Sequence, residues 1–361
     1  MVVITWHDLI GDRPAIRGPV ALTIGTFDGV HRGHREILRR LAVCADRGRS
    51  GRGMHRVVLT FRQHPRSVLT RKAPGTLTTL RQRRERFAAL GVTHLVLIDF
   101  SAQFSRLSGR EFVAALLRAM SLRKVVVGVD FRCGRGRDTD VDELQRLLAS
   151  AGVQVIVVPP VMVGGNSDGR VVVDRVVAAG SGAIAAGGGA IAAGSGVVAA
   201  RSGTGVVSST RIRASVRAGD FAATRKMMGV PFEVDLRGVA AVPLRAQRPR
   251  SVPDDGSAAD RGATRWYIAT EQLEQILPQP GAYAASVAVT GGSTVAADVE
   301  VAPDGVHFEL PGSGLELPSS EGPAGMDRIP LALRFHRRVA AHCKEHPISA
   351  HGVQVVSRVQ E

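Results

Sequence analysis

Two histidines three residues apart, His31 and His34, stand in the stretch V-A-L-T-I-G-T-F-D-G-V-H-R-G-H-R-E-I-L at residues 20–38. On a helix that spacing puts both rings on one face of a turn. Three uses compete for such a pair. It could bind a metal, but no neighbouring set completes a zinc-type coordination. The rings could cap or pack, the commonest fate of a histidine. They could also donate hydrogen bonds to phosphate oxygens. Gly25, Gly29 and Gly33 surround the pair, and glycine lets backbone N–H groups come close to a ligand. A helix start at this point would add an anion-attracting terminus. Glycine turn, helix start and paired imidazoles together favour the phosphate use.

The elements that must position these groups read as alternating strands and helices. Val20–Ile24 is an apolar run with strand character, and Ile37, Leu38 and Leu41 have helical spacing after the turn. Residues 1–19 read as a lead-in. Arg56–Phe61 is a second strand, running into R-Q-H-P-R, where Pro65 ends regular structure. Thr79–Leu90 is a helix stopped by Gly91, and His94–Asp99 is a third strand. Ser108-x-x-Glu111 and Asp140-x-x-Glu143 open two helices around a fourth strand, Lys124–Val129, with a fifth at Val153–Val158. This alternation predicts an α/β fold with a doubly wound parallel sheet, whose ligands lie beyond the carboxyl ends of the strands. G-T-F-D-G, T-F-R-Q-H-P and V-G-V-D-F all fall at such ends.

Beyond the fifth strand the composition changes. Residues 164–205 are a near-repeat of Gly, Ala and Ser, which reads as a flexible insert. Val207-Ser208-Ser209-Thr210-Arg211-Ile212-Arg213 follows, with Ser209 or Thr210 expected to cap a helix running through Val216. From Phe232 the pattern becomes short alternating runs (Trp266–Ala269, Tyr283–Val289, Val306–Leu310, Ile329–Phe335), a smaller, mainly β domain. Residues 245–262 read as a loop.

A length of 361 residues suffices for two cores, and 44% apolar content is ordinary for a globular chain. No run is long and apolar enough for a membrane span, and the N-terminus lacks signal-peptide character, which predicts the cytoplasm. Cys44, Cys133 and Cys343 are odd in number and far apart, so neither disulfide framework nor metal spacing is indicated. The net charge of +15 invites a nucleic-acid reading, but all but four of the 47 basic residues are scattered arginines, and 4% aromatics leave few stacking platforms. Steering of anionic nucleotides is a sufficient use for that charge.

The motifs also carry a resemblance. G-T-F-D-G-V-H-R-G-H is similar to the G-x-F-D-G-x-H-x-G-H signature of bacterial FAD synthetases, the adenylyltransferase half of bifunctional riboflavin kinase/FMN adenylyltransferases. S-S-T-x-I-R at 208–213 resembles the family's I-S-S-T-x-[IV]-R element, and V-G-V-D-F its V-G-x-[DN]-F. T-F-R-Q-H-P resembles T-F-x-P-H-P, with Gln63 in place of a proline. The likeness implies a Rossmann-like nucleotidyltransferase over 1–163 and 206–231, an insert at 164–205 foreign to the family, and a degenerate riboflavin kinase-like β domain over 232–361. In that domain P-Q-P-G-A-Y-A-A-S-V resembles a kinase barrel strand and Gly238-Val239 the barrel's opening strand, but the family's G-F-P-T-A-N element is missing.

The resemblance further implies that ATP and FMN are substrates, FAD the product and Mg²⁺ the metal, with no protein cage of metal ligands. His31, His34, Ser209, Thr210 and Arg211 would carry catalysis on the ATP phosphates. Gly25, Thr26, Phe27, Asp28, Gly29, Gly128, Asp130, Phe131 and Ser208 would line the nucleotide, and Phe61, His64 and Pro65 the flavin. Alternatives are a bifunctional enzyme that also phosphorylates riboflavin, a non-catalytic flavin-binding protein, and a nucleotidyltransferase for pantetheine phosphate or nicotinamide mononucleotide. The last has no reason for F-D-G-V and T-F-x-x-H-P together. Neither nucleic acid nor membrane is an expected partner.

Overall fold

Runs of Val, Ile and Leu build the first sheet, because strands covered on both faces must be apolar in both directions. In the computed structural model, which describes residues 1–11, 15–46, 53–69, 75–163, 205–244, 264–310 and 330–339, six parallel strands pair in the order β1-β4-β3-β2-β5-β6. They are β1 (Val2–Thr5), β2 (Pro19–Ile24), β3 (His55–Phe61), β4 (His94–Ile98), β5 (Ser121–Gly128) and β6 (Gln154–Val158). Between them run α1 (Trp6–Ile10), α2 (Arg32–Ala45), α3 (Pro65–Leu69), α4 (Leu80–Ala89), α5 (Gly109–Ala119) and α6 (Val141–Ala149). Successive strand residues point to opposite faces. Ala21, Val58, Leu95 and Val126 therefore meet Leu38 and Leu41 of α2 and Phe87 of α4. Leu22, Val57, Val96 and Val125 meet Phe112 and Leu116 of α5 and Leu144 and Leu148 of α6. The chain passes from β2 outward to β3 and β4, then returns to β5 on the other side of β2. That reversal makes the carboxyl end of β2 a switch point, where a crevice opens.

The lead-in holds more structure than expected. V-V-I-T forms an edge strand against β4, and a reciprocal capping box between Thr5 and Asp8 opens α1. A four-residue edge strand carries too short a pattern to stand out. The fourth expected strand begins at Ser121 rather than Lys124. β3 ends at Phe61, and Pro65, expected to end regular structure, instead opens α3, as proline can at a first helical position.

A two-residue ladder, β7 (Met162–Val163) against β8 (Gly205–Val206), brings together the two ends of residues 164–204, which lie outside the described residues. Helices α7 (Ser209–Ala218) and α8 (Phe221–Met228) then lead into an antiparallel sheet. It contains β9 (Glu233–Asp235), β10 (Val242–Leu244), β11 (Thr264–Ala269), β12 (Gly281–Val289), β13 (Thr294–Val301), β14 (Gly305–Leu310) and β15 (Pro330–Arg338). Its order, β10-β11-β14-β13-β12-β15-β9, leaves it an open, curled half-barrel. The expected β runs are all present, but β13 was missed because two adjacent alanines, Ala296 exposed and Ala297 buried, blur the alternation. Gly238-Val239 follows β9 in a turn rather than opening a strand, with Gly238 at φ +86°. The expected loop at 245–262, Ile329 and Cys343 lie outside the described residues.

The half-barrel meets the chain that precedes it at α7, α8 and the segment before α4. Ile212, Val216, Phe221 and Met228 share one core with Tyr283, Val287 and Phe335, and Leu77 joins it from the segment between α3 and α4. A buried polar knot ties the two as well. Gln275 Nε2 donates to the carbonyls of Leu77 and Glu233, both at 2.9 Å, and its Oε1 accepts from Asp235 N–H at 2.7 Å.

Candidate active site

After β2 the chain makes a tight turn in which Phe27, Gly29 and Val30 all have positive φ, +48°, +87° and +39°. The left-handed backbone of Gly29 favours glycine, and a Cβ there would also press on Leu77 Cδ1 at 3.1 Å. The turn is held by Asp28, which is only 3% exposed. Its carboxylate accepts from the N–H groups of Leu77 (2.9 Å) and Thr78 (3.1 Å) and from the Arg213 guanidinium of α7. Asp28 is thus occupied by protein groups, and its contribution to a ligand is the backbone it places. The Phe27 ring is buried edge-on between His34 and Phe87.

His31 closes the turn and caps α2, its Nδ1 accepting the His34 N–H at 3.4 Å. The bond at Nδ1 puts the proton of the neutral ring on Nε2, so that Nε2 is a donor. The two imidazoles stack with centroids 3.6 Å apart and planes inclined by 18°. Capping and presentation of two rings at a helix start are therefore one arrangement. Burial, followed by the charge of Arg213, pushes the His31 pKa down to about 4. Burial and the neighbouring His31 hold His34 well below the ordinary histidine value. Both rings are neutral near pH 7. His34 Nδ1 is buried with no hydrogen-bond partner among the described residues.

The start of α7 faces this pair. Ser208, rather than Ser209 or Thr210, caps the helix by accepting the Arg211 N–H at 3.4 Å. Ser209 is released from capping, and its hydroxyl donates to the Asp28 carbonyl at 3.1 Å. A Cβ on Gly33 would press on the His31 ring at 3.2 Å and would make ordinary contact with the Val207 carbonyl at 3.8 Å, which shows how near the two helix starts lie. Thr210 is exposed at the first turn, and the Arg211 guanidinium turns back on the Val206 carbonyl at 2.7 Å. Gly128, at the end of β5, faces Ile37 of α2. Asp130 beyond it is exposed, and Phe131 is half-buried against the α5–α6 core.

At the end of β3, the half-buried Phe61 lies edge-on to Phe100 with centroids 5.7 Å apart. His64 and Pro65 are also half-buried and open α3, the His64 carbonyl accepting from Ser67 N–H at 2.8 Å. The structure therefore brings together residues 25–34, 208–209 and Gly128, with the Phe61 loop alongside. Three arginines escaped the sequence reading. Arg213 holds Asp28, Arg86 donates to the Gly29 carbonyl at 2.8 Å, and Arg83 reaches the carbonyls of both loops. Arg83 and Arg86 gave a faint signal, because buried arginines on a helix as polar as α4 look like a solvated face, whereas Arg213 ends the S-S-T-x-I-R motif without a role read for it.

The family model described as FAD synthetase matches residues 14–168. The chain is 39% identical over 127 residues to the bifunctional riboflavin kinase/FMN adenylyltransferase of Escherichia coli K12, a match that covers 35% of this chain and 39% of that protein. It is 36% identical over 135 residues, 37% of this chain, to a Geobacillus thermodenitrificans protein that provisionally carries the same name, 72% of which is covered. An FAD synthetase of Listeria monocytogenes is 27% identical, with 59% of this chain and 70% of that protein covered. The chain thus spans about two fifths of the length of the first of these relatives. The crystal structure of a macrolide-efflux protein from Streptococcus pneumoniae superposes with a TM-score of 0.64 over 96% of this chain and 94% of that one, at 18% identity. That likeness concerns the fold alone.

Proposed function

We infer that this chain, which belongs to the FAD synthetase family, transfers the adenylyl group of ATP to FMN, giving FAD and pyrophosphate. The observation that carries this reading is the meeting of two helix starts, α2 with its stacked neutral histidines and α7 with Ser209 and Thr210, at the switch point of the sheet. An FMN phosphate oxygen attacks the α-phosphorus of ATP, and the bond to the β-phosphate oxygen breaks. The nucleophile is already an anion near pH 7, so no general base is needed. Positioning and stabilisation of moving charge supply the catalysis.

His31 and His34 donate to the phosphate oxygens on which charge grows. Ser209, Thr210 and Arg211 hold the leaving β- and γ-phosphates from the opposite helix. Gly25, Thr26, Phe27, Asp28 and Gly29 line the nucleotide through their backbone, with Ser208 beside them and Gly128, Asp130 and Phe131 on the adenosine side. Phe61, His64 and Pro65 take the flavin. Magnesium fits as an ion carried by the substrate. Among the described residues no three His, Cys, Asp or Glu side chains form a cage, and Mg²⁺ is commonly held by phosphates and water with few carboxylates. Its chemistry would be neutralisation of phosphate charge. In this reading residues 1–163 and 206–231 form the transferase and 232–361 a kinase-like domain. The enzyme works in the cytoplasm on small molecules, without nucleic-acid or membrane partners.

Riboflavin phosphorylation is absent in this reading. A neutral hydroxyl must lose a proton to a carboxylate base beside a phosphate-cradling loop. No Pro-Thr pair occurs in the sequence, and Glu309, a candidate base, is paired with Arg265 across β11 and β14. The test is incubation of the purified chain with ATP, Mg²⁺ and either FMN or riboflavin, with products separated by chromatography. FMN should yield FAD, and riboflavin should yield neither product. Absence of FAD from FMN would defeat the transferase reading. Stoichiometric FMN from riboflavin would defeat the second.

A further inference from the structure

The ladder between β2 and β3 ends at Ile24 and Leu59, closed by a last bond from Gly25 N–H to the Leu59 carbonyl. Beyond it β3 continues beside β4 alone, and the two loops that leave β2 and β3 have no backbone pairing in common. Arg83 spans that divergence from α4. Its Nη1 donates to the Thr26 carbonyl of one loop at 3.2 Å and to the Phe61 carbonyl of the other at 3.0 Å, and its Nη2 to the Arg62 carbonyl at 3.0 Å. Thr60 reinforces the span, its hydroxyl donating to the same Thr26 carbonyl at 3.1 Å.

Arg83 is 6% exposed, and among the described residues the carboxylates of Asp28 and Glu274 act on it through space but none lies within ion-pair distance. A buried guanidinium stays charged, and burying a charge without an ion pair is costly. An apolar side chain here would leave the Phe61 and Arg62 carbonyls without this donor. The planar fork does what such a side chain cannot, since it fixes carbonyls of two separate segments at set directions.

We propose that Arg83 is a positioning residue that sets the separation of the nucleotide-bearing and flavin-bearing loops, so that the FMN phosphate meets the α-phosphorus of ATP. The proposal rests on the functional reading above. Each loop keeps its own contacts to its own substrate without Arg83. What is lost is their mutual placement, and small misplacement of reacting groups costs turnover steeply.

The experiment compares wild type with Arg83→Lys, which keeps the charge but cannot hold both loops, and Thr60→Val, which removes the auxiliary donor at nearly constant shape. ATP affinity is measured by calorimetry and FMN affinity by quenching of flavin fluorescence, each substrate alone, alongside kcat for FAD formation. Arg83→Lys should lower kcat roughly 30-fold or more while both affinities stay within about twofold. Thr60→Val should lower kcat by about 3- to 10-fold with the same pattern. Turnover within threefold of wild type in Arg83→Lys would overturn the proposal, as would a loss of both affinities parallel to the loss of kcat. If Arg83→Lys does not fold, Thr60→Val decides, and unchanged kcat there overturns it. A wild-type chain that makes no FAD would instead defeat the functional reading, and the proposal with it.

Discussion

Neutral imidazoles at the head of a helix offer a phosphate directional donors without a fixed charge, so their contacts strengthen as charge builds during transfer. Replacing His34 by Ala should therefore lower kcat by roughly 10²-fold while changing FMN affinity little, the scale of one lost oxyanion-type donor. Steady-state kinetics of the single variant and of the His31→Ala, His34→Ala double variant check this, and normal turnover in the double variant would remove both from the mechanism. The depressed His31 pKa also sets a stability profile. The unfolded ring takes a proton near pH 6.5 and the folded ring only near 4. Between those values the unfolded chain binds the extra proton, so stability falls as pH drops through the window, by up to about 3 kcal/mol. Urea midpoints at pH 7 and 4.5 should separate further in wild type than in His31→Gln, and equal separations would refute the linkage. At this scale the sequence showed the glycines and histidines that meet at the turn after β2, because glycine and histidine at fixed spacing are local signals. Arg83, Arg86 and Arg213 stayed hidden, because their partners are carbonyls and carboxylates that only tertiary folding brings near.

Elements were legible where one pattern dominates. β2 to β6 are long apolar runs, and Ser108-x-x-Glu111 forms its capping box as read. The cap of α7 moved to Ser208 because three hydroxyl residues in a row leave the helix start undetermined until Ser209 is drawn to the Asp28 carbonyl. Edge strands such as β1 and β9 have too few residues to show alternation. The segment Gly75–Thr79 has no secondary structure to read, yet it holds Asp28 on one side and the half-barrel on the other. Gln275 is the buried fastener. Gln275→Leu would leave the Leu77 carbonyl and the Asp235 N–H unpaired, at about 1–3 kcal/mol each. Chemical denaturation should show a loss of about 2–4 kcal/mol, and a loss below 1 kcal/mol would mean that water replaces the side chain.

At the scale of the whole molecule, the half-barrel shares a core with α7 and α8, an arrangement no local pattern announces. The Gly, Ala and Ser composition of 164–204 offers little surface to offset ordering entropy, and the β7–β8 ladder already joins its ends. Shortening 178–204 should therefore leave far-ultraviolet circular dichroism and FAD synthesis within about twofold of the full chain, since loop length enters closure entropy only logarithmically. A deletion that unfolds the protein would show the segment to be structural. Among the described residues no helix is long and apolar enough to cross a membrane. The salt bridge from Arg213 to Asp28 has a further consequence, which concerns time. The partners are 185 residues apart, and the Gln275 that holds the Leu77 carbonyl is 198 residues beyond it. On a ribosome adding roughly 5–20 residues per second, Asp28 emerges about 10–40 s before its cation. The last strand of the first sheet, β6, ends at Val158, so all six strands are made before the cation that holds Asp28. The order of synthesis thus delays fixing of the turn after β2 until α7 has arrived.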